Sequence, residues 1–309
     1  MQAMWDAHDG INLSHKFMVA LKEEVATAVT QGRALNFDAV TQIPVFHTAA
    51  TQADPYSVYS NEALSIFNWL EATPEEETTL YFDALAQVVQ NIAPDAFILY
   101  ITRNPYDWIR SMYDQNLAAG APLTYEEFLQ KSGPGLKQHL DFNLALSGWR
   151  THYGVDKIIM LPFELFKDNP KHFFTLLQEK TGCPIPNWQQ APKNQSTTPK
   201  GRAFMQQSFQ MLDFISNSDI FDPQNKDIIN QVFSLVKQSI KVDLIQNTGG
   251  KFKQDIEDSS IMPLKPHGIS PELHNYIQND YLPALHKQEK DYYGFYQTYA
   301  DFKPEILSL

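Results

Sequence analysis

A single cysteine, Cys183, stands in this chain of 309 residues, so no intrachain disulfide can form and nothing calls for an oxidising compartment. Long apolar runs are missing as well. No window approaches a membrane span, and the opening residues, MQAMWDAHDGINLSHKF, hold no apolar core of a signal peptide, so a cytoplasmic chain is expected. Basic residues are in deficit: 24 Lys+Arg against 36 Asp+Glu give a formal net charge of −12. That balance argues against nucleic acid or an anionic membrane as partner, and leaves room for a small polyanion in a locally basic site. His267, His274 and His286 have no carboxylate or cysteine at ligand spacing, so no metal is expected. Repeats and low-complexity tracts are absent, and the length suffices for a sizeable buried core.

The stretch 96–116, AFILYITRNPYDWIRSMYDQN, organises what is present. Residues 96–102 are apolar, β-prone and too short for a helix, the pattern of a parallel strand buried on both faces. Arg103-Asn104-Pro105 follows, with proline suited to a first helical turn and Asn104 to a cap. Arg103 is thereby set at the carboxyl end of a strand and beside a helix N-terminus, where free N–H groups and the helix dipole favour anions. Ser111 comes eight residues later, about two turns on, and returns to roughly the same side of the helix. A guanidinium fork and one hydroxyl in that relation suit a phosphate.

This segment resembles the 3'-phosphate-binding segment of sulfotransferases that use 3'-phosphoadenosine 5'-phosphosulfate (PAPS), of the bacterial type. The matching residues are Arg103, Asn104, Pro105, Ser111 and Tyr113. Further along, Trp149, Tyr153-Gly154, KIIMLPFELFKDNP and the helix ending at Thr181-Gly182 resemble the second half of that domain, with Glu164 tying neighbouring loops. Asn194-Gln195-Ser196 resembles the family segment where the cofactor's 3' side meets the acceptor cleft, and Lys200 and Arg202 add charge close by. Ser60-Asn61-Glu62 reads either as an ordinary helix start or as the step facing the family's acceptor pocket. The resemblance implies an α/β, P-loop NTPase-like parallel sheet flanked by helices, spanning 1–202, with a helical region over 203–309 on the same domain. It implies sulfuryl transfer from PAPS to a hydroxyl or amine, without metal. Arg103, Ser111, Asn194, Ser196, Lys200 and Arg202 become candidates for the nucleotide, and Glu62 and His47 for the general base.

Other segments read locally. Residues 14–30 are an amphipathic helix stopped by Gly32, with His15 and Lys16 as solvated first-turn residues. Residues 56–60 read as a strand, and Pro74 starts a helix through Gln90. Thr124 to Glu127 is a capping box for a helix ending at Lys131, with 132–135 as a turn. Residues 157–161 form a second buried strand, and Asn169-Pro170 and Thr198-Pro199 each open a helix. Residues 203–217, 224–246 and 271–293 are helical in pattern.

The family's first strand and its Gly-rich 5'-phosphosulfate loop are not found in the sequence; Thr248-Gly249-Gly250-Lys251 and Gly133-Pro134-Gly135 follow no core strand and open no good helix. Either the gene is N-terminally truncated, or the chain is a relative that lost the loop together with transfer. Truncation is preferred because the 3'-phosphate segment is intact, and it predicts self-association through an exposed sheet edge. A catalytically inactive nucleotide- or partner-binding protein is the alternative. A P-loop kinase-like phosphotransferase ranks third, for want of a Lys-Ser/Thr loop. Aromatic content of 13% suits a carbohydrate or a small alcohol acceptor equally.

Overall fold

A computed structural model describes residues 11–12, 15–41, 59–60, 71–184, 198–218, 223–246, 250–263, 268–288 and 295–307. In chain order, β1 (Ile11–Asn12) leads to α1 (His15–Gln31) and α2 (Phe37–Thr41), and β2 (Tyr59–Ser60) follows. Next come α3 (Glu75–Ile92), β3 (Ile98–Thr102), α4 (Pro105–Ala118), α5 (Tyr125–Leu140), α6 (Phe142–Ala145) and α7 (Ser147–Tyr153). Then follow β4 (Ile158–Pro162), α8 (Phe163–Asp168) and α9 (Pro170–Thr181). The remainder is helical where described: α10 (Pro199–Asn217), α11 (Lys226–Lys241), α12 (Lys251–Asp258), α13 (Pro271–Tyr276), α14 (Leu282–Gln288) and α15 (Tyr296–Ala300).

Helix therefore dominates, and the described strands form two parallel two-stranded pairs, β1 with β2 and β3 with β4. The fold is α/β in the sense that both pairs are parallel, but a full sheet is not seen among the described residues. By contacts the chain divides into two compact units. One comprises Met1–Asn104, Pro134–Trp188 and Tyr276–Asp301, and the other Pro105–Gly133, Gln189–Asn275 and Phe302–Leu309.

In the first unit, α1 buries Phe17, Met18, Leu21, Val25 and Ala28, spaced as one helical face, against α3. α3 in turn buries Tyr81, Phe82, Ala84, Leu85, Ala86, Val88 and Val89. It also packs on α7, and the two backbones approach closely at Gly148, where a Cβ would lie 2.5 Å from the Phe82 carbonyl carbon and 2.6 Å from Asp83 Cα. The pair β3–β4 rests on Leu165, Phe173, Phe174 and Leu177 of α8 and α9. In the second unit, Tyr113 packs edge-on against Tyr125 and beside Phe128, so the aromatic two positions after Ser111 serves the core.

Local capping rules hold. Thr124 and Glu127 exchange backbone bonds at 2.7 and 3.1 Å. Asn169 Oδ1 accepts from His172 N–H at 3.1 Å, and α9 ends at Gly182 with φ of 72°.

Three expectations need correction. First, a short strand that the sequence reading did not place lies near the N-terminus: β1 pairs with β2 and precedes α1. Second, residues 132–135 are not a turn, since α5 continues through Pro134 to Leu140. Proline costs that helix one backbone bond. Buried Phe128 and Leu129 before it and Leu136 and Leu140 after it keep one apolar face continuous. Third, Gly250 does open a helix, because α12 starts at Lys251 with its Ile256 buried. None of the described helices is long and apolar enough to cross a membrane.

Candidate functional site

β3 and β4 are parallel and in register from Ile98 opposite Ile158 to Thr102 opposite Pro162. The next residues on the two strands are thus Arg103 and Phe163. The Arg103 guanidinium lies over the Phe163 ring at 5.4 Å, a cation–π contact that holds the side chain beside the strand end. Its backbone carbonyl accepts from the Tyr281 hydroxyl at 3.4 Å. Glu164, one residue on, ties this corner together. Its Oε1 accepts from the Asn104 backbone N–H at 2.9 Å, and its Oε2 accepts from the Tyr299 hydroxyl. Asn104 and Tyr299 are both buried, so one carboxylate joins the exit of β3 to α15. The role expected of Glu164 is the one it has.

Among the described residues no carboxylate pairs with the Arg103 guanidinium. A half-buried arginine stacked on an aromatic ring and lacking an anion is a ready anion ligand.

The remaining described candidates belong to the second unit. Ser111 sits half-buried on α4. Asp114, one turn further along, receives Arg202 of α10, whose Nη1 reaches its Oδ2 at 3.0 Å. Burial pushes the Asp114 carboxyl above its ordinary range, and Arg202 only partly offsets that. The second oxygen, Oδ1, is buried with no hydrogen-bond partner. Burial likewise raises the Tyr113 hydroxyl, with Asp114 adding to the effect. Lys200 is engaged too, its Nζ donating to the carbonyls of Glu257 at 2.5 Å and Ser259 at 2.8 Å. Thr198 caps α10 by accepting from Gly201 N–H at 3.0 Å while its hydroxyl donates to Glu257. The α10 start is thus anchored on α12, and the charges of Arg202 and Lys200 are directed at protein acceptors.

Glu62, His47, Asn194 and Ser196 lie outside the described residues. Among those described, no group of three or more His, Cys, Asp or Glu side chains could hold a metal ion.

Sequence reasoning missed Phe163, Asp114 and Glu257. Phe163 was within reach, since aligning the two apolar strands as parallel neighbours puts it beside Arg103. Asp114 and Glu257 were not, because their partners lie 88 and 57 residues away.

No protein-family model matches the chain, and no curated protein sequence does. A crystal structure of a sulfotransferase from Alicyclobacillus acidocaldarius is similar to it at a TM-score of 0.37 and 13% identity, over 69% of this chain and 83% of that one.

Proposed function

We propose that this chain is a sulfotransferase that binds PAPS through its 3'-phosphate and transfers the sulfuryl group to a hydroxyl or amine. In this reading Arg103 supplies the cation and Ser111 a hydroxyl donor for the 3'-phosphate. The observation that carries it is the Arg103 guanidinium, set at the carboxyl end of a parallel strand over Phe163 and without a carboxylate partner among the described residues. Transfer breaks the bond between sulfur and the bridging oxygen as the bond from sulfur to the acceptor forms, and the acceptor's proton passes to a base. Glu62 is the first choice for that base and His47 the second. Asn194 and Ser196 are assigned to the nucleotide from the sequence pattern alone. Lys200 and Arg202 are assigned to the same ligand from the sequence pattern alone; held as they are by Glu257, Ser259 and Asp114, they contribute at long range through charge.

A second reading is a nucleotide- or partner-binding relative without transfer. It is favoured by the sequence, in which no Gly-rich segment directly follows a core strand to wrap a phosphosulfate.

Calorimetric titration with adenosine 3',5'-bisphosphate, alongside adenosine 5'-monophosphate, tests the common element. Selective binding of the bisphosphate is expected. Arg103→Ala should lower that affinity by about 2–3 kcal/mol, the worth of a charge-assisted phosphate contact. Equal affinity for the two nucleotides, or an unaffected Arg103→Ala protein, would remove Arg103 from the site. Release of labelled sulfate from PAPS onto an acceptor mixture separates the two readings.

A further inference from the structure

A groove runs between α10 and α11 in the second unit. On α11, Asn230, Phe233, Ser234 and Lys237 recur at steps of three and four residues, so at about 100° per residue they share an arc of about 100°. On α10, Asp213 and Ser216 stand about one turn apart on one face. Together with Gly120, just beyond the end of α4, they line a cavity of about 220 Å³. Lys237 donates to Asp213 Oδ1 at 2.7 Å and to the Gly120 carbonyl at 3.1 Å. Gly120 takes a φ of 98°, a backbone conformation that a side chain would strain, and so presents its carbonyl to Lys237. The Ser216 hydroxyl donates to Asn230 Oδ1.

Three groups in this cavity are left over. Among the described residues nothing bonds Asp213 Oδ2, the Asn230 amide N–H groups or the Ser234 hydroxyl. They are an acceptor, a pair of donors and a group that does both. Asp213 and Asn230 are each anchored through Oδ1, so little ordering is required of them when a ligand arrives.

We infer that this groove binds a neutral, hydroxyl-rich ring, a single sugar unit. Charge selects against the alternatives. An anion would meet the Asp213 carboxylate and the carbonyl end of α4, and a cation would meet the Lys237 ammonium, which already neutralises Asp213. A sugar hydroxyl both donates and accepts, so neighbouring hydroxyls can give to Asp213 Oδ2 and take from the Asn230 amide, with Ser234 suited to either role. Phe233, half-buried in the wall, offers an apolar face to the ring's C–H groups. Size agrees, because the cavity falls below the range of about 300–1,000 Å³ for drug-sized ligands and so admits one ring and not a nucleotide. Sugar binding here uses none of the residues assigned to PAPS.

Saturation-transfer NMR on the full chain tests this, with millimolar methyl glycosides of glucose, galactose and mannose, and with methyl glucuronide and methyl glucosaminide as charged comparisons. At least one neutral glycoside should bind saturably, and more tightly than either charged one. Asn230→Leu and Ser234→Ala, both at exposed positions, should each weaken that binding about three- to tenfold with an unchanged far-UV circular dichroism spectrum. Asp213→Asn leaves Lys237 without its carboxylate and should shift preference toward the glucuronide. Four results would overturn the site: no saturable binding of any neutral glycoside, binding indifferent to Asn230→Leu or to Ser234→Ala, tighter binding of a charged glycoside by the wild-type chain, or a preference that Asp213→Asn does not move.

Discussion

Replacing Asp114 with asparagine should tighten the binding of adenosine 3',5'-bisphosphate. Ser111 and Asp114 are three apart on α4, so their side-chain bases are about 5–6 Å apart on one face of the helix. A phosphate received at Ser111 therefore meets the Asp114 carboxylate at short range. One unit charge acting on another at ~6 Å is worth ~0.7 kcal/mol in water and ~3 kcal/mol at an effective dielectric of 20. Removing it should raise affinity between about threefold and a hundredfold. Stability should hardly change. The asparagine Oδ1 still accepts from Arg202, and the ionised carboxyl is the disfavoured form here, because burial raises its folded pKa above its ordinary value. A carboxyl raised in this way contributes its stability below its unfolded pKa and loses it as pH rises through the folded one. At neutral pH the wild-type protein holds no stabilisation from this titration for asparagine to remove. The loss of 3–5 kcal/mol that follows breaking a fully buried pair should not appear, and a change within about 1 kcal/mol is expected. The assay is calorimetry of both proteins with the bisphosphate, repeated from neutral pH down into the upper carboxylate range. As pH falls, wild-type affinity should rise toward that of Asp114→Asn, which should follow the ligand's own titration alone. Equal affinities across the whole range would show that no phosphate charge comes near Ser111, and Ser111 would leave the site.

Three further outcomes follow from named contacts. Ser111→Ala should weaken bisphosphate binding by about 0.5–1.5 kcal/mol, less than Arg103→Ala, since it removes one neutral donor; a loss as large as that of Arg103→Ala would reverse their assigned ranks. Glu164→Ala removes the acceptor shared by the Asn104 N–H and the Tyr299 hydroxyl, and should cost about 1–3 kcal/mol in urea denaturation. A variant as stable as wild type would mean that this carboxylate does not hold the corner. Gly148→Ala sets a methyl against the α3 backbone, which cannot yield as a flexible side chain would. The expected loss is roughly 1–3 kcal/mol despite alanine's better helix propensity, read as a lowered thermal midpoint.

What could be read from residues alone is what short range decides. The strand–Arg-Asn-Pro–helix step, the Thr124–Glu127 box, the Asn169 cap with its Gly182 stop and the Thr198-Pro199 start each depend on bonds among residues at most a few positions apart. Such bonds form wherever those residue types recur at those spacings, so sequence carries them in full. Pro134 shows the limit. Its local rule favours a break, and burial on both sides of it overrides the rule. β1 escaped notice for a related reason: two residues carry almost no strand pattern, and only pairing with Tyr59–Ser60 makes Ile11–Asn12 a strand. The cations divide along the same line. That Arg103 follows a core strand was legible. That it lacks a carboxylate among the described residues while Arg202 is held by Asp114 and Lys200 by two carbonyls was not. A charge's availability depends on which distant residues the fold brings within about 3–4 Å of it, and no local pattern records those neighbours.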